Sequence, residues 1–436
     1  MEEKKQHKQL GFIDCLGIGI GQIIGSGVMV LTGIVVGMTG HGTPLAFICA
    51  ALLVICTMTS AVVLSSAVPS NGGGYSYVKR LIGPRAGFIY LGMFVLTQVL
   101  IATFALGFAS YFAALVPGVN EKLVAMLILA AATIVNLIGI KTAASVQNIM
   151  VACLLLSLLL FVAFGLPKVE WSNLALTGAN IMPNGLSSFL QGVALLSFAT
   201  GGAKFLAETA GEVKNAGKTV PRAMIVSTVI VAVFYALLGI VASGVLPLDQ
   251  VAFQNLTLVA QTIFPAWLYY FFIIGGALFA LATTLNGTLS WVTRGLQLSA
   301  EDGWLPEICA KENKGGTPVV LLLVFFVVGA IPILSGMDTT TISNMGVGLN
   351  QVLLVMEVIA CWRLPKVMPE AYENCTMKLS KPVLYVLLVL SVVLNVATFF
   401  VSLSDMTTAV WIGIAIFLIA LFIYTYVRGN QLAKKS

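Results

Sequence analysis

Long apolar runs, separated only by short polar stretches, fill almost the whole chain. A helix needs about 20 apolar residues to cross the hydrocarbon core of a bilayer, and the chain supplies about twelve runs of that size. They lie near residues 13–38, 43–68, 86–115, 122–140, 144–165, 185–210, 220–244, 265–294, 318–335, 340–361, 382–402 and 406–427. Because these runs leave no room for a soluble domain, the pattern predicts an all-α polytopic membrane protein with one transmembrane domain over residues 1–436.

The composition agrees with a chain embedded in a membrane. Of the 436 residues, 59% are hydrophobic and only 9% are charged, whereas soluble domains carry about 25% charged residues. The seven cysteines show no paired spacing, so we interpret them as small core residues rather than as disulfides or metal ligands. With two histidines and no cluster at acid–base or metal-binding spacing, the sequence does not predict an enzyme.

The positions of the basic residues predict the orientation, because cytoplasmic loops are enriched in lysine and arginine. With a cytoplasmic N-terminus, all of the 23 basic residues except Lys122 and Lys168 fall on the inner side. We therefore expect a cell-membrane protein with both termini in the cytoplasm. The net charge of +6 then indicates contact with anionic lipid rather than nucleic acid. No obligate protein partner is evident, and the charged residues 1–7 carry no cleavage pattern of a signal peptide.

A glycine-rich stretch interrupts the first apolar run. It covers residues 17–28 and places Ser26 between Gly25 and Gly27. Glycine is a poor helix former, and a helix that opens in lipid leaves backbone groups without partners. The stretch is therefore either an opening that a small polar solute or ion satisfies, or a place where another helix packs closely.

A second interruption, at residues 197–204 of the sixth run, favours the opening. It contains Gly201 and Gly202 and ends at Lys204, with Glu208 one turn further on. The last two residues either neutralise each other as an i, i+4 pair, or Lys204 attracts a carboxylate to a cavity.

Polar residues in three further runs are candidates for the same site. Gln98 in the third run is either an interhelical hydrogen-bonding group or a ligand. Thr283 and Thr284 in the eighth run either bond to their own helix or offer oxygen ligands. Glu357, near the inner face, is expected to pair with a basic neighbour.

Four short motifs occur along the chain in a characteristic order. They are G-x-x-I-G-S-G-V from Gly21; P-x-x-G-G-x-Y-x-Y from Pro69; F-A-x-x-G from Phe198, with E-V-K-N from Glu212 and T-V-P-R-A from Thr219; and Arg294 with D-G-x-L-P from Asp302 and G-T-P from Gly316. In order and spacing, over nearly the whole chain, they resemble the amino acid–polyamine–organocation permease superfamily.

The resemblance implies a leucine-transporter-like fold and a secondary active transporter for an amino acid. The fold has two inverted five-helix repeats, at residues 11–165 and 185–361, and two further helices at 382–427, with helices 1 and 6 broken. Paired breaks in corresponding halves indicate a midplane binding site. Free N–H groups at a helix start suit a carboxylate, and free carbonyls suit an ammonium. Transport by alternating access would be coupled to an ion, as in a symporter, or would be an exchange, as in an antiporter.

The resemblance also implies which residues bind the substrate. The carboxylate would be held by Ile24, Gly25, Ser26 and Gly27, and the amine by Ala199, Thr200 and Gly201. Phe198 would close over the substrate, with Gly202, Lys204 and Gln98 completing the predicted site.

Two departures from the family pattern affect substrate and coupling. Lys204 stands where relatives often have an acidic residue, which argues against a cationic substrate and leaves neutral, acidic or sulfonated amino acids. Leu154 stands where proton-coupled or exchanging relatives often carry a lysine. A sodium ion is instead expected as a possible coupling ion, with oxygen ligands of a kind that suits a hard cation: Gly21, Ile24, Ala280, Thr283 and Thr284. A substrate-sensing receptor on the same fold, or a permease for an amine or another small organic solute, is the alternative function.

Overall fold

The computed structural model describes residues 10–70, 73–138, 140–174, 177–404 and 406–434. Within these ranges, ten stretches are long and apolar enough to cross a membrane. Together with two shorter apolar helices, Phe12–Ile23 and Val319–Ser335, they account for the apolar runs of the sequence. The predicted all-α polytopic fold is confirmed.

Helices α1 to α9 occupy the part of the chain that precedes the long loop near residue 170. Their bounds are α1 Phe12–Ile23, α2 Ser26–Thr39, α3 Thr43–Thr57, α4 Thr59–Ala67, α5 Gly73–Leu81, α6 Pro84–Thr97, α7 Leu100–Leu115, α8 Glu121–Ile138 and α9 Ile140–Gly165. Short 3₁₀ turns follow at Gly40–Gly42, Leu166–Lys168 and Trp171–Leu174.

The second part of the chain continues in the same manner. The bounds are α10 Gly178–Ile181, α11 Gly185–Thr200, α12 Ala216–Gly244, α13 Leu248–Val251, α14 Thr257–Ile263, α15 Ala266–Phe271, α16 Phe279–Trp291, α17 Arg294–Glu301, α18 Val319–Ser335, α19 Thr339–Val367, α20 Pro369–Glu373, α21 Lys381–Leu403 and α22 Thr408–Ala433. A 3₁₀ helix covers Gly201–Glu212, a π-helix covers Phe272–Leu278, and a 3₁₀ turn covers Glu307–Cys309.

The first apolar run is broken where the glycine pattern predicts. Helix α1 ends at Ile23, and Ile24 has extended backbone angles, with φ −80° and ψ 102°. Gly25 is also non-helical, with φ −161° and ψ −145°, and α2 begins at the next residue. We call these two extended residues, Ile24 and Gly25, the first break.

The sixth run is interrupted in a different way. Helix α11 ends at Thr200, and the chain continues directly as the 3₁₀ helix Gly201–Glu212. We call this change of helix type, between Thr200 and Gly201, the second break. A 3₁₀ helix is tighter than an α-helix and keeps i→i+3 hydrogen bonds, so the backbone narrows here without becoming extended.

Irregular backbone also occurs in three other apolar runs. Met58 separates α3 from α4, and Gln98 separates α6 from α7. The π-helix Phe272–Leu278 lies within the eighth run. Neither glycine nor proline marks Met58 or Gln98, so the sequence pattern did not predict these two interruptions.

Packing places the two broken runs side by side. Helix α2 packs against α11, and α1 packs against the 3₁₀ helix Gly201–Glu212 and against α12. On the far side of the first break, the loop after α13 presses on α2: Phe253 N–H donates to Gly33 O at 3.1 Å. A Cβ on Gly33 would lie 1.6 Å from Gln254 O, so only glycine permits this contact.

Candidate substrate cavity

The residues that flank the two breaks are in direct contact at Gly27 and Gly202. A Cβ on Gly27 would lie 3.1 Å from both Cα and Cβ of Ala199. A Cβ on Gly202 would lie 2.2 Å from the carbonyl oxygen of Gln22. The glycines therefore allow both the close helix packing and the interruption that the sequence left open as alternatives.

A cavity of about 220 Å³ lies at this contact. Its volume is below the range of about 300–1,000 Å³ that is typical of pockets for drug-sized ligands, so the cavity suits a small solute. The aromatic residues in its lining include Tyr90, Phe94, Phe104, Phe198, Phe205 and Trp291. It extends from the breaks to Tyr75 and to Arg294, whose side chain is exposed.

Most of the predicted site residues line this cavity. The lining includes Gly21, Gly25, Gly27, Gln98, Phe198, Ala199, Gly201, Gly202, Lys204, Thr283 and Thr284. Phe198 is stacked on Phe104, with ring centroids 6.5 Å apart.

Three predicted residues lie behind the cavity wall, and the side chain of a fourth is not described. Ile24, Thr200 and Ala280 are buried and absent from the lining. The Thr200 hydroxyl donates to Leu196 O at 3.0 Å, so it bonds within its own helix. The side chain of Ser26 lies outside the part of the structure that is described.

Gln98 faces the cavity but is engaged within its own run. Its amide nitrogen donates to Thr97 Oγ1 at 2.9 Å and to Phe94 O at 3.4 Å. These bonds are local, so they join no second helix. Its role as a ligand stays a prediction.

Tyr235 of α12 supports the first break from behind. Its hydroxyl donates to Ile23 O at 2.9 Å and also interacts with the backbone of Gly25. The side chain is fully buried, so it satisfies polar groups that the end of α1 would otherwise leave bare in the membrane interior. Gly25, which precedes α2, makes no side-chain hydrogen bond to the N–H groups at the start of that helix.

The proposed sodium ligands come from the first break and from α16. Gly21, Thr283 and Thr284 line the same cavity, and a Cβ on Gly25 would lie 2.6 Å from Thr284 Oγ1. The Thr283 hydroxyl donates to Phe279 O at 2.8 Å and to Ala280 O at 3.0 Å. Such bonds use the proton and leave the lone pairs of the hydroxyl oxygen for a cation, so Thr283 fits an oxygen-ligated ion, whereas Ile24 and Ala280 lie outside the cavity lining.

A buried carboxylate lies further along the wall. Glu357 of α19 accepts a hydrogen bond of 2.8 Å from the Tyr90 hydroxyl, and Lys204 lines the same cavity. The partner that the structure shows for Glu357 is the Tyr90 hydroxyl, and its expected pairing with a basic neighbour stays a prediction. The side chain of Glu208, the alternative partner of Lys204, lies outside the described part of the chain.

Residues of two sequence motifs meet near Tyr75. The Tyr75 hydroxyl donates to Asp302, and Lys79 Nζ lies 2.6 Å from the same carboxylate. Burial and the bond to Asp302 raise the pKa of Tyr75, so the phenol stays protonated and continues to donate. The contact ties α5 to the end of α17.

Sequence reasoning missed Tyr90 and Tyr235. Each is an aromatic residue in an apolar run, where its hydroxyl gives little signal because tyrosine is common in membrane helices. Only its three-dimensional partner, a carboxylate in one case and a helix end in the other, shows that it supports the cavity.

Broken membrane helices that meet at a small central cavity define the class of solute transporters. The family model "Amino acid permease" matches residues 10–424, and the chain belongs to this family. It is therefore a transporter and not an enzyme, which confirms both the family resemblance and the prediction against enzyme activity.

Curated relatives agree with this assignment. The branched-chain amino acid permease BcaP of Bacillus subtilis is 27% identical, over 98% of this chain and 96% of its own. The human large neutral amino acids transporter small subunit 2 is 28% identical, over 83% of this chain and 71% of its own. The methylthioribose transporter of Bacillus subtilis is 28% identical, over 71% of each chain.

Proposed function

We propose that this protein is a secondary transporter for a neutral amino acid with a large apolar side chain, working by alternating access. The observation that carries the proposal is the contact of two interrupted helices at one small cavity. An α-amino acid has a carboxylate and an ammonium close together, and both need polar partners inside the membrane. The uncapped start of α2 suits the first group, and the backbone at Ala199 and Gly201, which line the cavity, is proposed to hold the second.

The wall and the relatives favour an apolar substrate side chain. Phe198, Phe104 and Trp291 present aromatic surface to the cavity, and large apolar side chains gain most from such burial. Two relatives are named for branched-chain and large neutral amino acids, which supports the same choice among the neutral, acidic and sulfonated substrates left by the sequence.

The conformation supports access from the cytoplasm. The cavity reaches Tyr75 and Arg294, on the side that the basic residues predict to be cytoplasmic, while the loop at Phe253 packs on α2 beyond the break. The proposal thus includes a cell-membrane location, with both termini inside and the cavity facing inward.

Sodium is the coupling ion that we propose. Gly21, Ile24, Ala280, Thr283 and Thr284 would hold it, and the bound charge would favour the substrate carboxylate at the same break. The lysine that serves other members of the superfamily is replaced by Leu154, which is buried. Because Leu154 carries no positive charge, this replacement supports a bound cation in place of the lysine.

Proteoliposome transport tests the proposal directly. The purified full chain should accumulate radiolabelled L-leucine above empty liposomes, faster with an inward sodium gradient than with potassium. A Gly25→Leu variant, which places a large side chain against Thr284, should insert normally but not transport. A complete lack of leucine uptake, both with the sodium gradient and with potassium, would contradict a leucine transporter.

The same preparation separates the alternative functions. Leucine binding without flux would favour a substrate-sensing receptor. A thermal-shift screen of amino acids, amines, organic acids and methylthioribose would identify another small solute if leucine fails, and the relative named for methylthioribose makes that compound a useful probe.

A further inference from the structure

A buried asparagine in the cavity wall has an oxygen atom without a hydrogen-bond partner. Asn395 of α21 is 0% exposed and belongs to the lining of the substrate cavity. Its amide nitrogen donates to Ser391 Oγ at 3.3 Å, whereas its Oδ1 accepts no hydrogen bond from any described residue. Most buried side-chain oxygens in proteins are hydrogen-bonded, and a bare one is unfavourable. This oxygen therefore needs a donor that the described part of the chain does not supply.

The neighbours of this amide fix which of its ends is free. The Ser391 hydroxyl donates to Thr57 O at 3.3 Å, at the point where α3 ends before the interruption at Met58. Because a hydroxyl has one proton, Ser391 can only accept from Asn395, and only the NH₂ end of an amide can donate. The free end of the amide is therefore its carbonyl oxygen, which is an acceptor.

A short series of contacts links Asn395 to the second break. Helix α21 packs against α11 and α3, and α11 ends at the second break. A Cβ on Gly201 would lie 3.9 Å from Val54 Cγ2, and Val54 lies about one helical turn before Thr57 on α3. Thr57 in turn accepts from Ser391, the partner of Asn395. The free acceptor thus belongs to the side of the cavity where the backbone of Gly201 is proposed to hold the substrate amine.

We propose that Asn395 Oδ1 accepts a hydrogen bond from the ammonium group of the substrate. In an amino acid with an apolar side chain, the ammonium carries the only N–H groups, because the carboxylate is an acceptor and the side chain is neither donor nor acceptor. A free acceptor in the wall therefore matches this one group. The inference rests on the proposed transport of an amino acid and deepens it by adding a binding residue from a helix that follows the two predicted repeats.

A purely structural role explains Asn395 less well. The bond from its nitrogen to Ser391 would be enough to join α21 to the end of α3. A structural link does not require the second polar end of the amide, which is unfavourable when it is buried without a donor. A ligand with a charged donor would turn that cost into a strong hydrogen bond.

Removal of the acceptor tests the proposal in binding titrations with three probes. Asn395→Leu keeps a side chain of similar shape without the oxygen, and its affinity for L-leucine should fall about tenfold or more, because a hydrogen bond from a charged donor is stronger than a neutral one. Leucinol, which keeps the ammonium and lacks the carboxylate, should lose affinity by a similar factor. 4-Methylpentanoate, which is leucine without its ammonium, should bind the variant and the wild type about equally.

Asn344→Leu is the matched control. Asn344 of α19 is 5% exposed, and its Oδ1 also has no partner among the described residues, but it is absent from the cavity lining. This variant should bind all three probes as the wild type does. Asn395→Asp, which keeps an oxygen acceptor in the same place, should bind leucine at least as well as the wild type.

The outcomes separate this inference from the proposed function. If the wild type binds leucine and Asn395→Leu binds it equally well, the inference is overturned while the proposed function stands. Equal losses for leucine and 4-methylpentanoate also overturn it, because they would assign Oδ1 to packing or to an ordered water. A wild type that binds no amino acid overturns both.

Two further variants keep the test decisive. If Asn395→Leu does not fold, Asn395→Ala removes the same acceptor with a smaller side chain and should give the same pattern with the three probes. If 4-methylpentanoate binds too weakly to be compared, Asn395→Asp decides. Retained leucine affinity in that variant supports the acceptor, and a tenfold loss overturns it.

Discussion

The two broken helices solve the same problem in different ways. At the first break the backbone is extended over Ile24 and Gly25, and the polar groups of two helix ends face one point. At the second break the α-helix tightens into a 3₁₀ helix at Gly201, which keeps most backbone groups bonded within the chain.

The difference assigns different tasks to the two breaks. The first break supplies polar backbone groups, and the Tyr235 hydroxyl supports it by donating to Ile23 O. The second supplies close packing through Gly202 and side chains such as Phe198 and Lys204. Substrate recognition by the main chain should therefore depend more on the first break, and the contact between the breaks should depend on the glycines of the second.

The largest expected effect comes from Gly202→Ala. The added methyl group would lie 2.2 Å from Gln22 O. Because the backbone fixes the positions of the methyl carbon and of the carbonyl oxygen, neither can rotate away. Overpacking of this kind costs about 1–3 kcal/mol, so leucine affinity and melting temperature should both fall. The neighbouring Gly201→Ala is the control, because its nearest contact is Val54 Cγ2 at 3.9 Å. Equal losses in both variants would show that Gly202 is not the contact point.

Tyr235→Phe should have the next largest effect. It leaves Ile23 O buried without its donor, at a cost of about 1–3 kcal/mol, and should lower both stability and leucine affinity. Tyr111→Phe removes comparable buried bonds, to Met29 O at 2.9 Å and from Leu256 N–H at 3.2 Å, about one turn beyond the first break. We expect that variant to lose stability but keep its affinity, as measured by thermal unfolding and scintillation binding. A Tyr235→Phe protein with unchanged affinity would remove Tyr235 from the support of the site.

Thr284→Ala tests whether the first break also carries the ion. If Thr284 is a sodium ligand, the sodium concentration for half-maximal leucine binding should rise about tenfold or more, while binding at saturating sodium changes less. Thr288→Ala, one turn further along the same helix and also in the lining, should leave the sodium dependence unaltered. A wild type that is indifferent to sodium would contradict the ion site itself.

The smallest effect is expected for Thr200→Val at the second break. Its hydroxyl bonds to Leu196 O and does not reach the cavity, and such intrahelical bonds add little stability. Leucine affinity should stay within about twofold, because the lost hydrogen bond lies within the helix and Thr200 is not in the cavity lining. A tenfold loss of affinity would place Thr200 in contact with substrate after all.

Much of the fold was predictable because the bilayer imposes strong local rules. Apolar length gave the membrane runs, and the glycines around Ser26 and at Gly201 gave the positions of both breaks. The interruptions at Met58 and Gln98 had no comparable signal, since neither residue is a glycine or a proline; the structure shows that both line the cavity.

The candidate site was predictable in outline but not in its partners. Lys204 was visible as an unusual cation, and its nearest acidic residue in the sequence was Glu208. The structure places Glu357, from a different helix, in the lining of the same cavity and bonds it to Tyr90, a contact that no helical spacing rule contains. The same holds for Tyr235 and Ile23 O.

The sequence by itself determined that the chain is a membrane protein, where its helices run and where two of them fail. These properties depend on neighbouring residues: the cost of polar backbone in hydrocarbon and the conformational freedom of glycine. Only the tertiary structure decided which break is extended and which stays helical, and which distant groups satisfy them. Those outcomes depend on contacts between helices far apart in the chain, where space and charge must match in three dimensions.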